Sequence, residues 1–190
     1  MALHQILKSL SPKLNTADFN SFFEICETVS LKNKEAIIEA NQKTSKAFFI
    51  LKGMIRGYLI NEEGVEKNIF LRPAHTFMGA PNALFNEERS RYTFEAIGDT
   101  ILVVFPLHEF EELAIKRPTL LKLYIAGYKE MIQTMVVRIE SMINNMPEQR
   151  YEELLQRSPQ FFQIAYHKDI ANYLGISPVS LSRIIKRTSL

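Results

Sequence analysis

The fold is decided by YHKDIANYLGISPVSLSRIIKR, the stretch at residues 166–187. Its apolar spacing predicts a first short helix, and Gly175 follows at the point where a helix ends and the chain needs a positive φ angle. Ser177 has the character of an N-cap, and Pro178 suits the first position of a second helix. The sequence therefore predicts a helix–turn–helix.

The second of these helices has a core side and an outward side. At 100° per residue, the apolar side chains from Leu181 to Ile185 share one face, and Arg183 and Lys186 lie on the other. Such a helix can lie in the major groove of DNA, where an arginine reaches a guanine edge and a lysine reaches a phosphate. We predict DNA contacts from nine residues: His167, Lys168, Ser177, Val179, Ser180, Ser182, Arg183, Lys186 and Arg187. The alternative is an ordinary helical hairpin that closes a domain.

Composition sets wider limits. A chain of 190 residues that is 46% hydrophobic and 23% charged predicts a globular protein with one large and one small domain. Acidic and basic residues balance in residues 1–146, so the net charge of +2 lies in residues 147–190. A single cysteine excludes a disulfide framework, and no apolar run is long enough to span a bilayer. The N-terminus has no export signal, so we expect a cytoplasmic location and no membrane partner.

Short apolar runs with turns between them occupy residues 36–105. Residues 47–60 and 65–71 read as two strands, and NEEG between them reads as a tight turn. Their spacing leaves little room for helix. The sequence predicts an antiparallel barrel or roll.

Helices are predicted on both sides of this region. Residues 3–30 look helical, and further helices open after Pro106 and after Pro118. The clearest periodicity lies at 119–146, where apolar residues as far as Met146 alternate at spacings of three and four. This seam either packs on the protein's own barrel or pairs with a second copy, and its extra apolar surface favours a homodimer. The predicted interface residues are Ile125, Tyr128, Ile132, Met135, Ile139 and Met142.

Four segments carry a resemblance to a known family. They are LKNKEAIIEANQ (31–42), FFILKGMIRGYL (48–59), PEQRYEELL (147–155) and IANYLGISPVSLSRI (170–184). In this order, and over nearly the whole chain, they resemble the Crp/Fnr family of transcription regulators. The resemblance implies a homodimer that binds double-stranded DNA under the control of an effector, with RNA polymerase as a further candidate partner.

The resemblance also implies the architecture. We expect an α+β protein with a cyclic nucleotide-binding-like, jelly-roll-like double-stranded β-helix at 1–118, a dimerisation helix at 119–146 and a helix–turn–helix domain at 147–190. That last domain resembles a winged helix in which the wing is absent or truncated. The contrasting hypothesis is a stand-alone ligand-binding or protein-interaction module without DNA binding.

The family's cyclic-nucleotide binders carry a glycine–glutamate pair followed by an arginine–serine pair. At the corresponding stretch, 77–96, Gly79 is present but Ala80 replaces the carboxylate. A ribose hydroxyl left without its acceptor in a closed pocket costs about 1–3 kcal/mol, so we expect no cyclic nucleotide to bind. The candidate ligand-binding residues are Gly79, Ala80, Arg89, Ser90, Arg91, Tyr92 and Thr93. The alternative for Arg89 and Arg91 is a pair of solvated surface residues.

Metal and catalytic chemistry find little support in the sequence. The family's oxygen sensors hold an iron–sulfur cluster with four cysteines, and Cys26 alone cannot supply that ligation. Haem stays open because His75 or Cys26 could ligate iron, although neither has a second ligand at a recognisable spacing. A phosphate loop and a nucleophile elbow are both absent, so the sequence predicts no enzyme.

Overall fold

The computed structural model describes residues 3–188 of the chain. Its helices are α1 Leu3–Leu10, α2 Thr16–Phe23, α3 Pro81–Phe85, α4 Leu107–Lys116, α5 Pro118–Asn144, α6 Pro147–Arg157, α7 Phe161–Ile164, α8 His167–Tyr173 and α9 Pro178–Thr188. Its strands are β1 Glu27–Leu31, β2 Ala36–Ile38, β3 Lys46–Ile60, β4 Glu66–Pro73, β5 Phe77–Gly79 and β6 Thr93–Pro106.

Two long strands, β3 and β6, form the centre of an antiparallel roll. The strand order is β1-β6-β3-β4, with β2 also paired to β6 and β5 also paired to β3. The side chain of Asn61 accepts the Val65 N–H at 2.8 Å, and Gly64 has a φ of +75°, so the chain turns tightly between β3 and β4. The predicted antiparallel roll is confirmed, and so is its strand–turn–strand unit.

The pairing of β3 with β4 contains a bulge. Gly57 lies opposite Phe70 and Tyr58 lies opposite Asn68, which leaves Ile69 as the extra residue. Paired residues share a face of the sheet, so the bulge puts Asn68 on the outer face and Phe70 on the inner one. Phe70 then lies in the apolar core of the roll, with its ring centroid 5.8 Å from that of Phe94.

The N-terminal helices close one side of the roll. Side chains of α1 and α2 pack with α4 and with the start of α5 around Leu7, Phe22, Phe110 and Leu120. The helical prediction for residues 3–30 is wrong over its last residues, because residues 27–31 pair with β6 along the whole length of β1. A five-residue segment is too short for its periodicity to separate helix from strand.

The long helix α5 follows Pro118 as predicted, but it ends at Asn144. Met146 precedes Pro147 and has an extended backbone, with φ −68° and ψ 160°, because the proline ring disfavours the helical region for the residue before it. Met146 therefore does not belong to the seam. Helices α6 to α9, here termed the helical domain, pack around Phe161 and Leu181 in a cluster that also includes Met54 and Leu71 of the roll. Within residues 3–188, no helix has the length and apolar character needed to cross a membrane.

Candidate nucleic-acid interface

The turn between α8 and α9 has the geometry that its sequence predicts. Gly175 has a φ of +71°. The Ile176 N–H donates to the Ala171 carbonyl at 2.9 Å, and the Gly175 N–H donates to the Asn172 carbonyl at 3.0 Å. These two bonds are the Schellman pattern, which ends α8 and fixes the direction in which α9 leaves.

The cap of α9 is also formed as predicted. The Ser177 hydroxyl accepts the Ser180 N–H at 3.0 Å and lies 2.9 Å from the Ser180 hydroxyl. Ser177 and Ser182 are exposed, and Ser180 is half-buried. The capping bonds hold the first turn of α9 in place, while Ser177 and Ser182 remain accessible at the surface.

The two faces of α9 separate by burial. Leu181 and Ile184 are buried against the rest of the helical domain. Val179, Arg183 and Lys186 are exposed, and the described part of the chain contains no ion-pair partner for either basic side chain. The outward face of α9 can therefore approach a ligand without breaking an internal ion pair.

The remaining basic residues of this segment differ in their surroundings. His167 and Lys168 are exposed at the start of α8. Arg187 forms an ion pair with Glu148 of α6, with Nη2 and Oε1 2.5 Å apart, so its guanidinium is already engaged. Asp169 is buried, which removes the one carboxylate of this segment from the outer surface.

In the single chain, the predicted seam of α5 forms an apolar surface that is exposed to solvent. Ile125, Ile132, Met135, Ile139 and Met142 are all exposed. The Met142 methyl also reaches the α8–α9 turn, because a Cβ built on Gly175 would lie only 2.9 Å from it.

Tyr128, the sixth predicted interface residue, lies differently. It is half-buried, and its ring packs on Phe85 of α3 with 5.9 Å between the centroids. Its hydroxyl lies 3.1 Å from that of Tyr124, which donates to Glu111, and burial raises the pKa of both phenols. Tyr128 therefore contributes to packing within its own subunit.

The candidate ligand-binding residues in the roll lie close together in the chain but serve internal contacts. Gly79 pairs with Ala47, and Ala80 is buried at the start of α3 without a side-chain hydrogen bond. Arg89 is exposed and donates to the Asn41 carbonyl at 2.7 Å, and Arg91 is exposed as well. Both arginines thus lie at the surface.

The last three of these residues are engaged in the same way. The Ser90 hydroxyl donates to the Tyr92 carbonyl at 2.6 Å, and the Thr93 hydroxyl accepts the Ala40 N–H at 3.1 Å. The Tyr92 ring packs 5.3 Å from that of Phe70 in the interior of the roll. This part of the roll therefore has an alanine in place of the carboxylate, two arginines at the surface and the rings of Phe70, Tyr92 and Phe94 packed together.

Cys26 and His75, the two candidate iron ligands, have different surroundings. The Cys26 thiol donates to the Phe22 carbonyl at 3.1 Å, and burial raises its pKa to about 12, so the thiolate that would bind a metal is disfavoured. His75 is exposed in a turn with a φ of +69°. Among residues 3–188, no group of three or more His, Cys, Asp or Glu side chains is placed to hold a metal ion.

Sequence reasoning missed a buried polar junction between the roll and the helical domain. Arg56 of β3 lies 2.7 Å from a carboxylate oxygen of Glu95, 2.7 Å from one of Glu66 and 3.3 Å from one of Asp169. The only signal in the sequence was a lone arginine in the apolar run of β3. Through the ion pair of Arg56 with Asp169, the junction connects β3 of the roll to α8.

Comparisons with known proteins agree with this architecture. Residues 28–117 match the model of the cyclic nucleotide-binding domain family. No curated protein matches in sequence.

Solved structures of Crp/Fnr-type regulators share the fold of the chain. FixK2 from Bradyrhizobium japonicum is 17% identical with a TM-score of 0.71, over 86% of this chain and 84% of that one. A CooA mutant from Carboxydothermus hydrogenoformans is 14% identical with a TM-score of 0.73, over 97% and 84%. The c-di-GMP responsive regulator CLP from Xanthomonas campestris is 9% identical with a TM-score of 0.72, over 92% of each chain.

Proposed function

Since residues 28–117 match the cyclic nucleotide-binding domain family and the chain has the fold of Crp/Fnr regulators, we propose that the protein is a sequence-specific, DNA-binding transcription regulator. It works as a homodimer whose roll responds to an effector. RNA polymerase is a further candidate partner, and the cytoplasm, where DNA is accessible, is the expected location. We infer no enzymatic activity.

The outward face of α9 carries this proposal. Arg183 and Lys186 are exposed on the side opposite the buried Leu181 and Ile184, on a helix whose first turn is capped by Ser177. Val179 is also exposed, and its apolar side chain can contact the methyl group of a thymine. We assign base reading to Arg183 and phosphate contact to Lys186 and Lys168.

The exposed seam of α5 supports the homodimer. A helix of 27 residues with this many exposed apolar side chains favours a partner surface, and two-fold pairing would hold two copies of α9 at a fixed separation. Fixed separation is what a reader of two DNA half-sites requires.

We propose an effector other than a cyclic nucleotide or an iron–sulfur cluster. The engaged residues 79–93, the ring-packed roll interior and the neutral Cys26 thiol all support this.

DNA selection tests the function. Fragments retained by the protein from random DNA would define a preferred site, and binding would then be measured against salt concentration. Arg183→Ala should weaken binding to that site by about 1–3 kcal/mol and relax the preference at one base pair per half-site. Lys186→Ala should weaken all sequences alike and reduce the salt slope by about 1 for each phosphate that the lysine neutralises.

Two outcomes count against the proposal. Equal losses on the preferred site and on random DNA, with an unchanged circular dichroism spectrum, would remove base reading from Arg183. Failure to retain any DNA at low salt would favour the alternative function, a ligand-binding or protein-interaction module whose terminal helices only pack.

A further inference from the structure

One side chain of helix α8 forms hydrogen bonds with the backbone at the open edge of β4, as a neighbouring strand would. The Asn172 side chain accepts the Asn68 N–H at 2.7 Å and donates to the Glu66 carbonyl at 2.7 Å. These are the backbone groups that a neighbouring strand would use. The first helix of the helix–turn–helix thus takes the place of a strand at the edge of the roll.

A second set of contacts fixes the same helix from its first turn. The Asn68 side chain donates to the Asp169 carbonyl at 3.1 Å, and Arg56 donates to the Asp169 carboxylate at 3.3 Å. All three residues are buried. A buried polar network with its partners satisfied holds one geometry, because breaking any bond strands a desolvated group.

Arg138 lies on the long helix α5 and links that helix to both β4 and α8. Its guanidinium donates to the carbonyls of Asn68 at 2.9 Å and of Ile69, both at the bulge, and to that of Tyr173 in α8 at 3.1 Å. It also stacks 4.0 Å from the centroid of the Tyr173 ring. One side chain therefore contacts the roll, the dimer helix and the helix–turn–helix.

The bulge connects this junction with the interior of the roll. Without the extra residue, Asn68 and Phe70 would point to the same face. With it, Asn68 faces α8 while Phe70 packs on Tyr92 and Phe94 inside. The backbone of β3 is tightly packed against these rings at Gly57. A Cβ atom there would lie 2.9 Å from the Phe70 ring and 2.6 Å from the Phe94 ring.

We propose that the bulged segment Asn68–Phe70 is the coupling element of the protein: it carries a change in the packing of Phe70 to α5 through Arg138 and to α8 through Asn172. The roll interior then controls the placement of α9 across the β4 edge. A hinge between α5 and α6 alone would not need these contacts. The consequence for DNA rests on the proposed function, but the coupling itself does not.

Hydrogen exchange in the full-length protein tests the coupling without DNA. Phe70→Leu should speed exchange of the amides of α8 at least about tenfold. Phe48→Leu is the matched control, since it removes the same volume from the same core but lies on β3, away from the bulge. Equal acceleration of α8 in both variants, once each is compared with its own global unfolding, would overturn the proposal.

A double variant separates coupling from simple loosening. Asn172→Ala removes both edge bonds and should by itself speed α8 exchange about thirtyfold, the effect of two hydrogen bonds of ordinary net strength. Phe70→Leu added to it should then change that rate by less than about twofold. If the effects of the two substitutions on the α8 exchange rate multiply fully, the two sites act independently and the proposal fails.

Arg138→Lys tests the junction even where Phe70→Leu does not fold. Lysine keeps the charge but lacks the planar fork that reaches three carbonyls, so exchange in β4 and in α8 should rise together. A rise confined to one of them contradicts the coupling. Measuring the DNA dissociation constant of the same variants separates the two proposals: absence of any DNA binding refutes the function, and the exchange data still decide the coupling.

Discussion

Two isoleucines on α5 set the expected strength of the proposed dimer. Ile132 and Ile139 are 56% and 55% exposed in the single chain. Full burial of an isoleucine side chain stabilises by about 1.5–3 kcal/mol, so covering the exposed half of each contributes about 1 kcal/mol. The four copies in a dimer contribute about 4 kcal/mol, which corresponds to about a thousandfold in the dissociation constant.

Replacing both side chains removes this contribution and adds a penalty. Ile132→Glu combined with Ile139→Glu would place four carboxylates in the apolar seam, where they lack partners. We expect the dissociation constant to rise at least about a thousandfold, so that a dimer at micromolar concentration becomes a monomer in sedimentation velocity. Ile115→Glu is the matched control, because Ile115 on α4 is 79% exposed and lies outside the seam.

The result that refutes this reasoning is simple to state. A double variant that still sediments as a dimer at micromolar concentration would show that α5 is not the interface. A wild-type protein that is monomeric there would show that the exposed stripe does not pair two copies at that concentration.

Three further predictions concern the roll and its helices. Millimolar cyclic AMP should leave the melting temperature unchanged, whereas a ligand at a hundred times its dissociation constant would add about 2.7 kcal/mol, and a saturable shift of several degrees would contradict the assignment of residues 79–93. Cys26 should react with iodoacetamide at pH 8 about a thousandfold more slowly in the folded than in the unfolded chain, because a pKa of about 12 in place of 9.0 lowers the thiolate fraction by that factor; comparable rates would contradict its burial. Gly57→Ala should destabilise the protein by about 1–3 kcal/mol, since the new methyl would meet two packed rings, and an unchanged melting temperature would show that the Phe70–Phe94 packing yields easily.

The features that the sequence predicted correctly are set by residues that lie close together in the chain. The turn at Gly175, the cap at Ser177 and the two faces of α9 follow from residues within four positions of one another. The turn between β3 and β4 is local in the same way. Each of these features is a property of one short segment, so its pattern survives without knowledge of the rest of the fold.

What the sequence could not predict depends on pairs of distant segments. The bulge at Ile69 is a property of the register between β3 and β4, and nothing within β4 alone announces it. Asn172 and Asp169 read as ordinary polar residues of a surface helix until that helix is set against the β4 edge. The periodicity of α5 likewise predicts an apolar stripe but does not identify the surface that covers it.

The same long-range contacts change the charge that DNA would meet. Counted from the sequence, residues 164–190 hold four basic side chains against Asp169. In the structure Asp169 is buried against Arg56, and Arg187 is paired with Glu148, so the outward positive charge rests on Lys168, Arg183 and Lys186. Three cations release few counterions from DNA, and one subunit alone would hold it weakly at physiological salt. Pairing through α5 would double that number on a single ligand, so the proposed DNA binding depends on the proposed dimer.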